Sequence, residues 1–477
     1  MSQTLTVDRN SLQAGAQRVQ VLRQRLLERK RSGRSGWSPE MPVVSARSLR
    51  ASEQISSWQL RRGLLVRDRL NTVQFAINEL ELLAGRVDIE SEEGRPDEVV
   101  AARRYLEQYP GPPGQTGHCE LDLDPLMSLG ISGLEARTHG LMAEATGERV
   151  ATYRSFVYTL EGLSLLCVHA AETAEAALPL AGPARQAELG QIASSCRRIA
   201  NQPPASFRDA VQLLWLTLVG VMQGEPAGLV VPGHLDRTLQ SYFEQDLAEG
   251  RLDRNEALVL LESLYLLINE FIPDGLAIGV MVGGRDQEGR DLTNELSYLC
   301  LEALRRTRLI YPTVGLCWHE DTPGALVDLA LELVAQGCAN PAFFGDKVIQ
   351  QGLRQLGVPP PITTPAACCW RRSPPRSAPR RQPSRHLWSG TADAWGRRWP
   401  GVRWSRTRPE GCGGNGAANL CRASSPGTAW PADSIWTKAG RGTTGPSAHS
   451  SGWPIWLIRC TCCARRSTPS AASVLPS

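Results

Sequence analysis

The sequence has no run of about 18 uninterrupted apolar residues, the length that a membrane-spanning helix needs. Its first residues, MSQTLTVDRNSLQAG, also lack the basic-then-apolar pattern of a secretory signal. These absences argue against a membrane protein and against a secreted one. We therefore expect a globular, cytoplasmic protein, and 477 residues with 42% hydrophobic content can supply a sizeable core.

The short motifs of nucleotide and metal sites are missing as well. No Walker loop or dinucleotide fingerprint occurs. The six cysteines before residue 359 form no CxxC pair, so zinc and iron–sulfur binding have no support. Asp286, Asp291 and Asn294 could suggest a metal loop, but their spacing does not fit an EF-hand. We predict a turn with a helix cap there, and no metal site.

Acidic residues are scarce at the C-terminal end of the chain. Residues 359–477 contain 17 Lys+Arg and 3 Asp+Glu, a net charge of +14, whereas residues 1–358 carry −10. This tail also holds 9 of the 13 tryptophans and 7 of the 13 cysteines. It has no apolar period of 2 or 3.6 that could bury one face. We therefore predict a disordered tail.

The composition of the tail allows two interpretations. A basic arm could bind nucleic acid, because Arg neutralises phosphate and aromatic rings stack on bases. Such arms rarely contain this much Trp and Cys. A mixture of Arg, Pro, Ser, Ala, Gly, Trp and Cys is what a GC-rich gene yields when it is read in the wrong frame. We favour the frameshift and regard nucleic acid as an unlikely partner.

Residues 1–358 contain helical patterns first and strand patterns later. Residues 1–45 are polar and Arg-rich, and we predict a leader there. Helical spacing of apolar residues follows from about Ala46. Ser206 is a candidate N-cap for a buried helix, and Asp253 with Glu256 resembles a capping box. Residues 46–358 are thus predicted to form one helix-rich domain.

The last part of this domain alternates strands and helices. Strands are predicted at 276–282 and 313–318, and helices at 294–306 and 323–336, the second capped by Thr322 with Pro323 at its first position. Apolar strands alternating with helices indicate parallel strands that are covered on at least one side. The fold class is therefore α/β, as a barrel or an open sheet.

Three stretches then suggest a family. They are GHLDRTLQSYFEQDLAEGRLD, GGRDQEGRDLTNELSYLCLEAL and YPTVGLCWHEDTPGALVDLALELVAQGCANPAFFGDKVI. In this order and spacing they resemble glycyl radical enzymes of the pyruvate formate-lyase and glycerol dehydratase type. Gly233, Asp236 and Asp246 match the family pattern, whereas His234 and Arg237 stand where the family usually has Arg and Gln.

The resemblance implies an incomplete glycyl-radical-enzyme α/β barrel with a helix-rich N-terminal part. It implies a dehydratase, a lyase or a formate C-acetyltransferase that acts on a small polar substrate by thiyl-radical chemistry. The family's partner is a radical S-adenosylmethionine activating enzyme that installs a glycyl radical, and a homodimer is an open expectation. No other bound cofactor is implied.

The residues of that chemistry are missing from this sequence. Only Cys368 and Cys369 lie where the family has its catalytic cysteine, and neither has a glutamate nearby. The surroundings of the radical glycine are absent too. Family members are longer, so the second half of the barrel is expected to be missing. We predict a truncated, inactive chain without catalytic residues; the alternative is a non-catalytic fragment that binds an intact homologue.

Three residues are predicted to bind substrate. His118 follows a Gly/Pro-rich stretch that resembles a pocket loop, although a loop histidine is often only solvated. Asp236 can face a pocket or pair structurally with a nearby Arg. His319 follows a strand at its C-terminal end, where barrel enzymes place functional residues, and loop packing is its alternative.

Overall fold

The computed structural model describes residues 9–31, 36, 38–89, 96–109, 119–225, 229–272, 277–338, 340–355 and 357. They all belong to the first of two units into which the chain divides. The predicted tail and His118 lie outside these described residues. Within them, no helix is long and apolar enough to cross a bilayer.

Helices make up most of the chain as far as residue 224. They are α1 Arg9–Arg31, α2 Met41–Ala51, α3 Trp58–Leu70, α4 Pro96–Leu106, α5 Asp124–Ala143, α6 Glu148–Ala177, α7 Pro183–Ile199 and α8 Phe207–Gly224. A 3-10 turn occupies Leu178–Leu180, and a small antiparallel hairpin pairs β1 Phe75–Ala76 with β2 Arg86–Val87. The helix-rich N-terminal part is therefore confirmed.

Strands and helices alternate in the remainder. Its strands are β4 Leu229–His234, β5 Ala277–Gly283, β6 Thr313–Trp318 and β7 Ala342–Gly345, and one further strand, β3 Cys119–Glu120, comes from the helical part. The helices are α9 Leu235–Thr238, α10 Gln240–Ala248, α11 Arg254–Phe271, α12 Glu295–Thr307, α13 Gly324–Ala335 and α14 Asp346–Gln355. The predicted strand 313–318 is correct to the residue, and the predicted strand 276–282 is displaced by one.

Two predicted helix starts are confirmed by their caps. Ser206 Oγ accepts a hydrogen bond from the Asp209 amide (3.1 Å), which satisfies one of the unpaired amides at the start of α8. Asp253 and Glu256 form a reciprocal capping box at the start of α11. Every residue of α8 except Arg208 is buried, as its apolar sequence predicts.

The five strands β3 to β7 form one parallel sheet in the order of the chain. In a strand, alternate side chains point to opposite faces. On the first face, the strand residues belong to the main core; they are Val230, Ile278, Val280, Val282, Val314 and Leu316. Residues of α8, α11, α12 and α13 belong to the same core. The second face carries a small separate cluster of Val231, Met281 and Cys317, with Phe344 packed against it.

Helix α1 lies within the segment predicted as a polar leader. Val19, Leu22 and Leu26 are buried in the main core. The polar side of the helix contacts the ends of later helices: Arg18 forms a bidentate ion pair with Glu188 of α7, and Arg23 donates to the carbonyl of Thr307, the last residue of α12. The same helix thus combines an apolar stripe with specific polar contacts.

Candidate active site

The polar residues of interest lie at the carboxyl ends of the parallel strands. Strand β5 ends at Gly283 and is followed by Gly284; their φ angles are +69° and +86°. A Cβ on Gly284 would come within 2.8 Å of Arg237 Nη2 and 3.1 Å of Asp346 Oδ2. Only glycine combines this backbone conformation with so close an approach. We call residues 283–284 the glycine turn.

Asp236 lies just past β4 and is fully buried. Its Oδ2 accepts hydrogen bonds from the Gly283 amide (2.6 Å) and from Ser297 Oγ (2.5 Å). Asn294 Nδ2 donates to the Asp236 carbonyl (2.9 Å). One carboxylate therefore ties the end of β4 to the glycine turn and to the start of α12, while its Oδ1 has no hydrogen-bond partner in the described residues.

Burial raises the pKa of Asp236 to about 6, against the lowering effect of the bonds from Ser297 and Gly283 and of the nearby Arg237 charge. Near neutral pH the carboxyl group is mostly ionised, and burying this charge lowers the free energy of unfolding. The structural alternative predicted for Asp236 was a pairing with a nearby Arg, and the structure shows other direct contacts. Arg237 affects Asp236 through its charge, whereas the direct contacts come from a backbone amide and a hydroxyl.

Asp346 lies directly after β7 and is also fully buried. Its Oδ2 accepts from the Arg285 amide (2.7 Å), and its Oδ1 accepts from Gln350 Nε2 (3.1 Å). Burial raises its pKa, against the hydrogen bonds and the charges of Arg237 and Arg285. Arg237 Nη2 donates to the Gly283 carbonyl (2.7 Å). Arg237, which follows β4, therefore contacts the glycine turn, and Asp346, which follows β7, holds the next residue, Arg285.

His319 follows β6, and its side chain is fully buried. The Asp321 amide donates to Nδ1 (3.3 Å), so Nε2 carries the proton. Nε2 is 3.0 Å from Asp291 Oδ1 and 3.3 Å from the Gly284 carbonyl. Thr322, predicted as a helix cap, instead accepts from the His319 amide through Oγ1 (3.0 Å), and Pro323 is the N-cap of α13. The cap prediction was wrong because the Thr322 hydroxyl accepts a hydrogen bond from the His319 amide instead of from an amide of α13.

The structure thus brings two of the three predicted site residues to one edge of the sheet. Asp236 binds the glycine turn through the amide of Gly283, and His319 binds it through the carbonyl of Gly284. His118 lies outside the described residues. Whether any of the three contacts substrate stays a prediction.

Sequence reasoning did not single out Asp346, Arg285 or His234. Asp346 was visible near the end of the third family-like stretch, but its partners follow from the pairing of β7 beside β6. His234 was noted only as a departure from the family pattern. Its ring lies buried at the end of β4, and neither ring nitrogen has a hydrogen-bond partner in the described chain.

The turn and the helix cap predicted for the acidic segment 286–294 are both present. Asp286 binds the amide and the guanidinium of Arg290 (2.8 and 2.6 Å), which closes a turn. Asn294 caps α12 in a reciprocal arrangement with Ser297. Among the residues that the structure describes, no group of three or more His, Cys, Asp or Glu side chains could hold a metal ion.

A family model matches residues 102–376, and its family is described as pyruvate formate lyase-like. The matched range ends inside the Arg- and Trp-rich tail that was predicted to begin after Val358. It covers more than half of the chain, including the sheet and the glycine turn.

Several curated proteins are similar to this chain. (2S)-3-sulfopropanediol dehydratase of Klebsiella oxytoca is 26% identical over 58% of this chain and 36% of its own length. Isethionate sulfite-lyase of Nitratidesulfovibrio vulgaris is 31% identical over 38% of this chain and 24% of its own. Trans-4-hydroxy-L-proline dehydratase of Clostridioides difficile is 29% identical over 36% and 24%. The chain spans about a third or less of these relatives.

Solved structures share the fold at lower identity. Glycerol-bound, B12-independent glycerol dehydratase from Clostridium butyricum has a TM-score of 0.65 at 18% identity, covering 73% of this chain and 53% of that protein. A glycyl radical enzyme from Archaeoglobus fulgidus has a TM-score of 0.63 at 20% identity, covering 73% and 54%. The chain therefore corresponds to about half of each solved protein.

Proposed function

Because the chain belongs to the pyruvate formate lyase-like family, we propose that it derives from a glycyl radical dehydratase or lyase that acts on a small polar substrate. The observation that carries this proposal is the convergence of Asp236 and His319 on the glycine turn, at the carboxyl ends of the parallel strands. Ligands of α/β proteins bind at this edge as a general rule.

In this proposal the described residues form one wall of the substrate pocket. Asp236 and His319 bind the glycine turn, and Asp346 binds the amide of the next residue, Arg285. A rigid polar wall positions a substrate, and burial excludes water from reactive intermediates. These residues bind and position; the radical itself would come from a glycine and pass through a cysteine.

We further propose that this chain does not turn over substrate. Cys368 and Cys369 lack a neighbouring glutamate, and no glycine has the family's radical setting. A frameshift after about residue 358 accounts for both absences and for the charge reversal of the tail. Read from the third base of each codon, residues 361–371 permit a Gly-Cys-Val followed by two leucines.

The nucleotide sequence of the gene from codon 359 onward tests the proposal. We expect another frame to encode a cysteine hairpin and, far downstream, a radical-glycine motif. If neither frame encodes them, the frameshift proposal is wrong. The same gene supplies the matched control, because restoring the frame gives a repaired chain.

Electron paramagnetic resonance then compares the two chains. Each is incubated without oxygen with S-adenosylmethionine and an activating enzyme of the family. We expect a glycyl radical doublet from the repaired chain and none from the present one. A doublet from the present chain would contradict its proposed inactivity.

A further inference from the structure

Strand β7 and helix α13 form the outer border of the parallel sheet. The sheet has the order β3 to β7, so within the described residues β7 pairs with β6 on one side and with no strand on the other. The helix beside α13 is α12. Parallel sheets are normally covered by helices and continued by further strands. The border is therefore where an additional segment of chain would be expected to pack.

The core-facing side of α13 is identified by its burial. The residues that are fully buried in the main core are Leu326, Ala330 and Leu333. Successive residues of an α-helix are about 100° apart, so these three lie within about 60° of one another around the helix axis. They define the direction of the core, and the two flanks of α13 lie to either side of it.

One flank of α13 faces α12. The Gln336 carbonyl accepts a hydrogen bond from Arg308 Nη2 (3.2 Å), and Arg308 directly follows α12. The pKa of Arg305 on α12 is raised chiefly by its hydrogen bond with Glu302, and the nearby charge of Glu332 adds to this effect. Glu332 and Gln336 therefore lie on the flank that faces α12.

The opposite flank carries three apolar side chains. Val327, Leu331 and Val334 also fall within about 60° of one another, and their common direction is about 150° from that of Glu332 and Gln336. Val334 is 45% exposed, and the other two are half-buried. We call Val327, Leu331 and Val334 the outer stripe. It points away from α12, toward the side on which the described chain supplies no further helix.

The charge on α13 is entirely negative. The helix contains Asp328 and Glu332, both exposed, and no basic residue. Asp328 is about 60° from Leu331 around the helix, so a carboxylate flanks the outer stripe. A partner that suits this surface needs apolar side chains for the stripe and basic side chains for the carboxylates.

A second copy of α13 does not meet this requirement. Two outer stripes packed against each other would bring four carboxylates together without a basic residue from either helix. Placing like charges next to each other across an interface costs several kcal/mol. The charge pattern therefore argues against self-association through this helix.

A segment near the end of the same chain does meet it. Residues 453–458 have the sequence WPIWLI, and Arg459, Arg465 and Arg466 follow. The last acidic residue of the chain is Asp433, so this segment is purely basic, within a tail of net charge +14. The intervening residues 358–452 can span any distance across the domain at about 3.3 Å per residue. A tethered segment also has an advantage over a free partner, because its effective concentration is high.

We propose that residues 453–466 bind the outer stripe of α13 in the same chain and cover the border of the sheet. Their apolar side chains contact the stripe, and their arginines pair with Asp328 and Glu332. The inference is independent of the proposed function, and it holds whichever reading frame produced the tail.

Photo-crosslinking of the purified full chain tests this contact. Val334 is replaced by p-benzoylphenylalanine, which forms a covalent bond with whatever lies against it on illumination. We expect cross-linked peptides from residues 453–466, in a product with the mass of a single chain. The matched control has the same label in place of Val100, an apolar residue of α4 that is 66% exposed. It should give at least fivefold less cross-linking to residues 453–466.

Two further variants of the labelled chain separate the charged and the apolar contributions. Asp328→Lys together with Glu332→Lys should lower the cross-linking yield at least threefold, whereas Glu144→Lys, at an exposed acid after α5, should leave it unchanged. Trp456→Ser should also lower the yield at least threefold. Its control is Trp404→Ser, which changes a tryptophan elsewhere in the tail. Because Trp456 lies outside the described fold, a lower yield from its variant cannot result from unfolding of α13.

Three results would overturn the proposal. Products with twice the mass of the chain would identify a second copy as the partner of the outer stripe. Cross-links from position 334 that miss residues 453–466 would show that another segment, or none, covers it. Yields that stay within 1.5-fold of normal in both the charge-reversal variant and Trp456→Ser would show that neither the charges nor the apolar residues hold the segment there.

Discussion

The two faces of the parallel sheet are built from the same five strands, but they differ in which side chains they bury. The first face is continuous with the helices in one apolar core. The second face has a small cluster of three buried residues and, at its carboxyl edge, His234, whose ring nitrogens have no hydrogen-bond partner in the described part of the chain. Natural proteins accept such unpaired atoms where binding requires them. We therefore expect the first face to supply stability, and in the proposed function ligand binds at the carboxyl edge of the sheet.

The largest expected effect separates two adjacent residues of β6. Leu316 is fully buried in the main core, whereas Cys317 belongs to the cluster of the second face. Leu316→Ala should lower the free energy of unfolding by about 2–5 kcal/mol, since it leaves a cavity in a packed core. Cys317→Ala removes one heavy atom and should cost about 1 kcal/mol. Urea unfolding measures both, and equal losses would contradict the assignment.

A buried acid in the helical layer gives the next effect. Glu262 on α11 is fully buried; its Oε1 lies 3.7 Å from Arg306 Nε, and neither oxygen has a hydrogen-bond partner in the described residues. Burial raises its pKa from 4.5 to about 7. The stability associated with the protonated form is complete below pH 4.5 and is lost as the pH rises through 7.

Unfolding measured from pH 5 to pH 8 tests this effect. The chain should lose about 3 kcal/mol across that range from this group, and Glu262→Gln should lose correspondingly less. The control is Glu295→Gln, which changes a more exposed acid paired with Arg254. If Glu262→Gln keeps the full pH dependence, then the first face holds no strained charge, and the contrast between the faces becomes sharper.

Asp236 gives a similar but smaller effect at the site itself. Its pKa is raised from 3.8 to about 6, so the stability that it contributes when protonated declines as the pH rises from about 4 to about 6. Asp236→Asn should remove about 2 kcal/mol of this pH dependence. It should also weaken the bonds from Gly283 and Ser297. Chemical unfolding at pH 4.5 and pH 7 tests both; an unchanged slope would show that the group is ionised without cost.

The smallest effect is expected on the second face. Met281→Leu keeps the side-chain volume nearly constant and should cost less than about 1.5 kcal/mol. Thermal unfolding measures it. A loss as large as that of Leu316→Ala would mean that the second face is packed as tightly as the first. The expected contrast in stability between the two faces would then be lost.

The sequence predicted the elements whose signals are local. Strand β6, the cap at Ser206 and the capping box at Asp253 depend on neighbouring residues, and all three are confirmed. Strand β4 was missed because Pro232 and Gly233 interrupt its apolar pattern, and a register shift lies there. Strand β7 was missed because four residues are too short to show a period.

The site was predictable only in part for the same reason. His319 could be placed at the edge because it directly follows a recognisable strand. Asp346 and Arg237 come close to the glycine turn because strands that are far apart in sequence lie side by side in the sheet. The burial of His234 likewise depends on elements from the whole domain. A pattern within ten or twenty residues contains no information about such neighbours.

The contacts of helix α1 determine when this helix can dock while the chain is being synthesised. Its Arg18 binds a residue 170 positions later, Arg29 one 241 positions later, and Arg23 one 284 positions later. During synthesis, α1 leaves the ribosome long before any of these partners exists. Contacts of such long range form late, because closing a long loop costs entropy before it is rewarded. Helix α1 is thus synthesised long before it can dock, and until then its apolar stripe is exposed to chaperones and proteases.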